Sequence, residues 1–382
     1  MNVWRSCARA GFITLAIGVG LTWGLTGAAK ASPTIDVRFS IKVITRPISH
    51  QRPPVNAALT PVANADIDAM FQMANDSLLA TYWRGYRFLV TEILDVGSCS
   101  SGCDSSDPAF WYGAALPGDF DMKRFEYWAK MTPAFQWRTD AVNVYINQGK
   151  QDGATASFPP PDNRSNDVVF VGSRVFDPAD SPVWKAAVMH HEMGHYFSLA
   201  HPNGSIENCC VPSVCITDGD QIEDTLPDGP CFTLDQISTN RYGQVFASVN
   251  AVKQDSLLNM FWNNMCYLHP DQKDDPGEGF GHEFLPRLTE LQLDQWTDTA
   301  NDVRLGVRSA RTRFVELQGA CPSCPTPTGK STDPYRDIPQ ALTNSNPGDI
   351  VLLRPGLYSG PSVINQPVTL RATRQGTVQI SN

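Results

Sequence analysis

Four of the seven histidines lie in one short segment, His190 to His201, with the sequence HHEMGHYFSLAH. His191 and His195 are four residues apart, so on an α-helix they lie one turn apart on the same face. Two imidazoles at this spacing can bind one zinc ion. Trp184 and Val188 extend the same stripe, which indicates that the imidazoles point into the floor of a cleft. The segment therefore predicts a metal site on a helix.

Glu192 and His201 would complete a catalytic set. Glu192 projects beside the metal without being a ligand, where it can take a proton from water and pass it to a leaving amine. Zinc lowers the pKa of bound water to about 7, and three histidines leave one coordination position open. His201 lies about 240° from His195 around a continuing helix, so it joins the site only if the helix ends between them. His190 faces about 100° away from His191 and is interpreted as structural.

The surrounding residues predict the elements that must position this segment. Ser181 can cap a helix that begins at Pro182 and runs to about Leu199. An apolar stripe predicts a helix over 66–82, and a T-E-L-Q capping box predicts another over 289–302. Apolar residues in short runs or alternation predict four strands, at 37–43, 86–96, 141–147 and 168–176.

Residues 1–31 have the pattern of a secretory signal peptide. Arg5 and Arg9 form a basic start, Gly11 to Leu25 is an apolar stretch of 15 residues, and Ala29-Lys30-Ala31 is a small-x-small cleavage site. The apolar stretch is short for a bilayer span, which needs about 20 residues. We therefore expect cleavage after Ala31 and a secreted, extracellular protein without a membrane span; an uncleaved anchor is the alternative.

The charge and the cysteines agree with export. The formal net charge is -9, and the first 31 residues hold three basic groups and no acid, so the mature chain is more acidic still. An acidic chain is a poor nucleic-acid binder, because phosphate contacts need clustered Lys and Arg. Nine cysteines follow the leader, in a compartment where disulfides persist. Nine is odd, so at least one cysteine is free or bonded outside the chain.

Three segments resemble the metzincin metallopeptidases and, within them, the pappalysin branch. His191–His201 is similar to the elongated zinc signature, although Ser198 stands where that signature has Gly. Residues 215–225 (CITDGDQIEDT) resemble the branch's C-x-x-x-G-D-x-x-x-D-T loop, and Asn264–Tyr267 (NMCY) is similar to its Met-turn. A residue other than Gly at positive φ costs on the order of 1 kcal/mol, so Ser198 puts the third ligand in question.

The resemblance implies a role for each matched residue. The zinc ligands would be His191, His195 and His201, with Glu192 as general base and acid. Met265 would form the apolar floor beneath the metal, which suits a soft and flexible side chain. Tyr267 would donate a hydrogen bond to the developing oxyanion.

The loop at 215–225 is rich in carboxylates. Hard oxygen ligands packed this closely suit calcium, and the branch resembled binds calcium near here. A solvated acidic turn is an equal alternative. The candidate ligands are Asp218, Asp220, Glu223 and Asp224.

Two further expectations concern residues near this loop and the Met-turn. Cys215 and Cys231 bracket the loop and are the expected disulfide, while Cys266 is expected to pair with Cys209, Cys210 or Cys231. Asp271 follows the Met-turn, and a carboxylate in the pocket for the residue after the scissile bond would favour Lys or Arg.

The C-terminal residues have a different pattern. After a linker at 319–332, residues 333–382 resemble the opening of a right-handed parallel β-helix, with short strands at 350–353, 368–370 and 378–380. Fifty residues make about two coils, whereas a solenoid needs roughly three or more, so these coils either pack on the preceding domain or belong to a longer protein.

Together these patterns predict an α+β protein. We expect a metzincin-like metalloprotease of two subdomains over 32–318, with a mixed sheet and a zinc-binding helix, followed by the β-helix-like piece. The expected function is a secreted zinc endopeptidase that acts on protein or peptide substrates, with Glu192 as general base and acid. The alternative is a non-catalytic exported binding or adhesion protein, with a structural zinc site and a carbohydrate-binding β-helix. Glu192 counts against it, since a structural zinc site has no need of that residue.

Overall fold

Short apolar segments build a five-stranded sheet at the centre of the fold. The strands are β1 (Ile35–Ile44), β2 (Tyr86–Val96), β3 (Val142–Asn147), β4 (Ala154–Ala156) and β5 (Val168–Gly172). Their order is β2-β1-β3-β5-β4, and neighbours are parallel except for β4, which is antiparallel to β5. The sheet is therefore mixed, as the sequence predicts. Parallel strands are buried on both faces, so helices must cover each side.

The structure is a computed structural model. It describes residues 35–46, 52, 61–79, 86–112, 119–147, 154–156, 167–177, 182–201, 222, 234–261, 263, 265, 288–317, 327–361, 363–373 and 377–381. The expected signal peptide lies outside these residues.

Seven helices are described. They are α1 (Asn64–Leu79), α2 (Asp119–Met131), α3 (Pro182–Tyr196), α4 (Leu234–Tyr242), α5 (Ala251–Phe261), α6 (Glu290–Asp302) and α7 (Ile338–Thr343). Within the described ranges, none combines the length and the apolar character that crossing a membrane requires. The sequence predicts α1, α3 and α6, whereas the other four helices were not expected from it.

Different helices cover the two faces of the sheet. On β3, Val144 and Ile146 point to one side, where they share a core with Met193 of α3 and with α1. Tyr145 points to the other side, where its ring centroid lies 4.8 Å from that of Phe125 on α2. We call these sides the α3 face and the α2 face.

Two expected boundaries shift in the structure. The strand predicted at 168–176 ends at Gly172, the last residue of β5 that pairs with β3. Residues Ser173–Phe176 form a 3-10 turn instead, from which Val175 and Phe176 remain buried. The helix predicted to end near Leu199 ends at Tyr196, because the chain enters a left-handed turn at Ser198.

Helix α6 packs against the end of α3. Its start is the expected capping box: Thr289 accepts a hydrogen bond from the backbone N–H of Gln292, whose side chain accepts one from the Thr289 N–H. Trp296 is fully buried, and its ring centroid lies 4.6 Å from that of Phe197 and 4.6 Å from that of Tyr86.

The residues after α6 form two small parallel sheets. The strands are β6 (Thr312–Val315), β7 (Ile350–Leu353), β8 (Gly356–Ser359), β9 (Thr369–Ala372) and β10 (Val378–Ser381). One sheet has the order β6-β7-β9, the other pairs β8 with β10, and every pair is parallel. Strands β7, β9 and β10 correspond to the three strands expected from the sequence.

Candidate metal centre

Helix α3 carries the histidine segment and is anchored by apolar residues. Ala186, Met189 and Met193 are buried in the core on the α3 face. Met265 is also fully buried and packs against the helix at Gly194, where an added Cβ would overlap the sulfur atom of Met265. Gly194 is therefore required by close packing, because any side chain there would displace Met265 from its place against the helix.

The structure brings His191, His195 and His201 together. The Nε2 atoms of His191 and His201 lie 3.0 Å apart, those of His195 and His191 3.1 Å apart, and those of His195 and His201 2.9 Å apart. His195 is buried, and the other two are partly buried. Three nitrogens thus form a nearly regular triangle, which is a donor set that could hold a metal ion.

A left-handed turn makes this convergence possible. Leu199 N–H donates to the Gly194 carbonyl at 2.8 Å, and Ser198 N–H donates to the His195 carbonyl at 2.9 Å. These two bonds define a Schellman motif, which ends a helix with one residue in the left-handed conformation. Ser198 occupies that position with a φ of 75°. The chain accordingly reverses after α3 and returns His201 to the face that bears the other two histidines.

The ring of His195 is fixed by the same turn. Its Nδ1 donates to the Leu199 carbonyl at 2.7 Å, because a carbonyl oxygen can only accept. Its Nε2 therefore carries a lone pair that points at the other two rings. Burial and the neighbouring histidines hold the pKa of His195 well below its usual value. Burial, followed by His191, lowers the pKa of His201 to about 3. Neutral imidazoles with free lone pairs are the form that binds metals.

Glu192 lies on the same helix with its carboxyl group buried. The backbone N–H of Ala156, in the edge strand β4, hydrogen-bonds to this carboxyl group. The Oε2 atom is buried and has no hydrogen-bond partner among the residues that the structure describes. Burial raises the pKa of Glu192 to about 8, and the bond from Ala156 only partly offsets this. A carboxyl group so placed can gain or lose a proton near neutral pH.

His190 points away from the cluster, as the helix geometry predicts. It is fully buried, and its Nε2 donates to the Ala74 carbonyl of α1 at 3.1 Å. Burial lowers the pKa of His190 to about 3, so the ring is neutral. This histidine joins α3 to α1, while its neighbour His191 faces the site.

Several expected site residues fall outside the described part of the chain. They are Tyr267, Asp271 and the four acidic residues Asp218, Asp220, Glu223 and Asp224. The expected disulfides of Cys215, Cys231 and Cys266 lie outside it as well. Among the described residues, Cys99 and Cys103 form a disulfide, a pairing that was not among those expected from the sequence.

Sequence reasoning missed three residues that shape the centre: Gly194, Ala156 and Gln295. Gly194 had a visible signal, since glycine inside a helix is costly without a packing reason. Ala156 had none, because strand β4 has three residues and depends on pairing with β5. Gln295 donates to the Ser198 carbonyl at 2.6 Å, a contact between residues 97 positions apart that no local pattern indicates.

Comparisons with known proteins give matches of low identity among solved structures. No family model matches the chain, and no curated protein matches it. Mirolysin in complex with a compound is 19% identical with a TM-score of 0.43, over 72% of this chain and 95% of that chain. Mature mirolysin of Tannerella forsythia with a cleaved peptide is 17% identical with a TM-score of 0.43, over 72% and 96%. A chaperone-substrate complex is 11% identical with a TM-score of 0.27, over 47% and 26%.

Proposed function

We propose that the chain is a zinc-dependent endopeptidase that hydrolyses peptide bonds in protein or peptide substrates. The observation that carries this proposal is the convergence of His191, His195 and His201, whose Nε2 atoms lie 2.9–3.1 Å apart. The buried carboxyl group of Glu192 follows the first of these ligands directly.

The donor set fits zinc. Three imidazole nitrogens that bind one tetrahedral zinc ion at about 2.0–2.1 Å lie roughly 3.3 Å from one another. The observed triangle is within a few tenths of an ångström of that spacing. Bound there, zinc would polarise a substrate carbonyl and lower the pKa of water to about 7.

We assign the proton transfers to Glu192. Ala156 holds the carboxyl group through its N–H, which leaves Oε2 to accept a proton from the attacking water. The same carboxyl group then gives that proton to the amine that leaves. Transfers of this kind contribute about 10²–10⁴-fold to a rate. A structural zinc site would gain nothing from such a buried carboxyl group, so a non-catalytic binding protein is the weaker hypothesis.

Finer assignments follow from the metzincin and pappalysin-like resemblance of the sequence. Tyr267 would donate to the oxyanion, and Met265 would support the ligands from below, in keeping with its place against Gly194. The acidic loop at 215–225 would bind calcium, and Asp271 would favour basic residues after the scissile bond. The leader at 1–31 would direct secretion, and residues 333–382 would begin a β-helix.

Metal analysis combined with a cleavage assay tests the proposal. The full chain should hold one zinc ion and cleave casein or gelatin, lose cleavage with a chelator and regain it with zinc. Glu192→Gln should retain the zinc while cleavage falls at least about 100-fold. Zinc binding without cleavage of either protein, or full activity in Glu192→Gln, would reject the proposal.

A further inference from the structure

The end of α3 receives three side-chain hydrogen bonds from the region of α6. Tyr196 ends α3, so its carbonyl has no partner within the helix, whereas the Met193 carbonyl also accepts from the N–H of Phe197. All three acceptors are backbone carbonyls of residues that lie between His191 and His201 in the sequence. They run from Trp296 to Met193 at 3.3 Å, from Gln295 to Ser198 at 2.6 Å, and from Arg304 to Tyr196 at 3.3 Å.

Of the three donors, Gln295 is the one that contacts the left-handed turn itself. Its acceptor, the carbonyl of Ser198, belongs to the residue with a φ of 75°. That left-handed conformation is unfavourable for serine by roughly 1–2 kcal/mol, so surrounding contacts must maintain it. The hydrogen bond from Gln295 is such a contact, and it reaches the turn that returns His201 to the other ligands.

A different side of α6 contacts the C-terminal residues. Asp294, Asp298 and Asp302 recur every four residues and form one stripe along the helix. Asp298 and Trp296 are about 200° apart, so the stripe lies away from the side that packs on α3. Each carboxylate of the stripe contacts the C-terminal residues. Asp294 contacts Arg354 at 2.9 Å, Asp298 accepts from the N–H of Ser331 at 3.0 Å and from its hydroxyl, and Asp302 contacts Lys330 at 2.6 Å.

These contacts differ in strength. Asp302 and Lys330 are nearly half exposed, and such surface pairs contribute little to stability. Arg354 is three-quarters buried and also contacts Glu316 and the Ser331 carbonyl. Its guanidinium therefore joins α6 to the residue that follows β6 and to the segment before α7.

We propose that α6 positions the metal centre: Gln295 sets the zinc affinity of the three histidines by holding the Ser198 turn, and Arg354 holds α6 in place from the C-terminal segment. Gln295 and Arg354 are positioning residues, since neither touches a ligand ring. The inference rests on the proposed function only in taking the three histidines as zinc ligands.

The first test measures zinc affinity in Gln295→Leu, which keeps most of the side-chain volume and removes the donor. We expect its zinc Kd, measured by competition with a chelating dye, to rise about ten-fold, in the range of other partners that orient metal ligands. The matched control is Tyr145→Phe, which also removes one hydrogen bond to a carbonyl, that of Phe135 at 2.8 Å, but on the α2 face. Its zinc Kd should stay within two-fold of wild type, and cobalt absorption spectra should change only in Gln295→Leu.

An unchanged zinc Kd in Gln295→Leu would overturn the inference, as would an equal rise in Tyr145→Phe, because general destabilisation would then explain both. Either result leaves the proposed function intact. A wild-type chain that binds no zinc at these histidines would instead remove the proposed function and the inference together.

The second test addresses the C-terminal link. Arg354→Met retains the apolar stem and removes the guanidinium, and Lys330→Met does the same at the exposed pair. We expect the zinc Kd to rise several-fold in Arg354→Met and to remain unchanged in Lys330→Met. If Arg354→Met lowers the unfolding midpoint but leaves the zinc Kd at the wild-type value, the proposed link between the C-terminal segment and the centre is wrong.

Discussion

The polar side chains on the two faces of the central sheet are arranged differently. On the α2 face, the Lys42 ammonium donates to the Asn143 side chain at 2.6 Å, and the Tyr145 hydroxyl donates to the Phe135 carbonyl at 2.8 Å. On the α3 face, three imidazole nitrogens point at one another. Buried polar groups cost free energy unless they find partners. The α2 face pairs these groups with partners on the same face, whereas the three imidazoles next to α3 form a donor set that could hold a metal ion.

The largest effect that we expect is on zinc affinity, and it should differ between variants of the adjacent residues His191 and His190. His191→Asn removes a ligand from the cluster, so zinc affinity should fall by much more than the 10- to 100-fold typical of groups that only orient ligands. His190→Asn alters the contact with Ala74 and should cost stability, about 1 kcal/mol, while the zinc is retained. Metal content after dialysis measures both. Loss of zinc in His190→Asn with retention in His191→Asn would reverse the assignment.

A second prediction uses the charge buried on the α2 face. Burial lowers the pKa of Lys42 to about 7, although Glu92 acts in the opposite direction. Between pH 7 and 10.5 the unfolded chain keeps this proton and the folded chain releases it, so the contribution of Lys42 to stability should rise with pH. The slope would reach about 1.4 kcal/mol per pH unit. Below pH 7 both states hold the proton and the contribution is flat.

Lys42→Met isolates this contribution. The variant should be more stable than wild type below pH 7, and its advantage should shrink as the pH rises to 10.5. Urea unfolding at several pH values measures the difference. A difference that does not change with pH would show that the ammonium is not destabilised by its site.

The smallest predicted effect concerns the left-handed turn. Ser198→Gly relieves the strain of a φ of 75°, but it also gives the unfolded chain more freedom, so we expect a net gain of about 0.5 kcal/mol. Ser198→Val, with a β-branched side chain, should lose about 1–2 kcal/mol at the same position. Urea unfolding of the metal-free proteins measures both. A loss of stability in Ser198→Gly would contradict the account of the turn.

The sequence predicted elements that carry strong local signals. The T-E-L-Q pattern located the start of α6, because both hydrogen bonds of a capping box lie within four residues. The spacing of His191 and His195 placed them on one face of α3. The position of His201 could not be settled this way. It depends on a serine in a left-handed turn, which Gln295 supports from a distant part of the chain.

Other elements were missed because their signals are weak or non-local. Met122, Phe125 and Ala129 form the buried stripe of α2, but the stripe also includes the buried carboxyl residue Glu126, and the large side chain of Tyr127 is exposed on another side. Strand β4 is too short to show a period, and its place is set by β5. Local patterns therefore predicted much of the scaffold. The contacts of Ala156 and Gln295 at the metal centre join distant parts of the chain, so they became visible only in the tertiary structure.

The central claim is that three histidines bind one zinc ion and leave a fourth position open. X-ray absorption at the zinc edge of the full chain in solution tests it most directly. The account predicts three imidazole nitrogens at about 2.0–2.1 Å, a fourth ligand that exchanges with solvent, and no sulfur at about 2.3 Å. A cysteine sulfur or a fourth imidazole on the zinc would close the site and contradict the peptidase assignment.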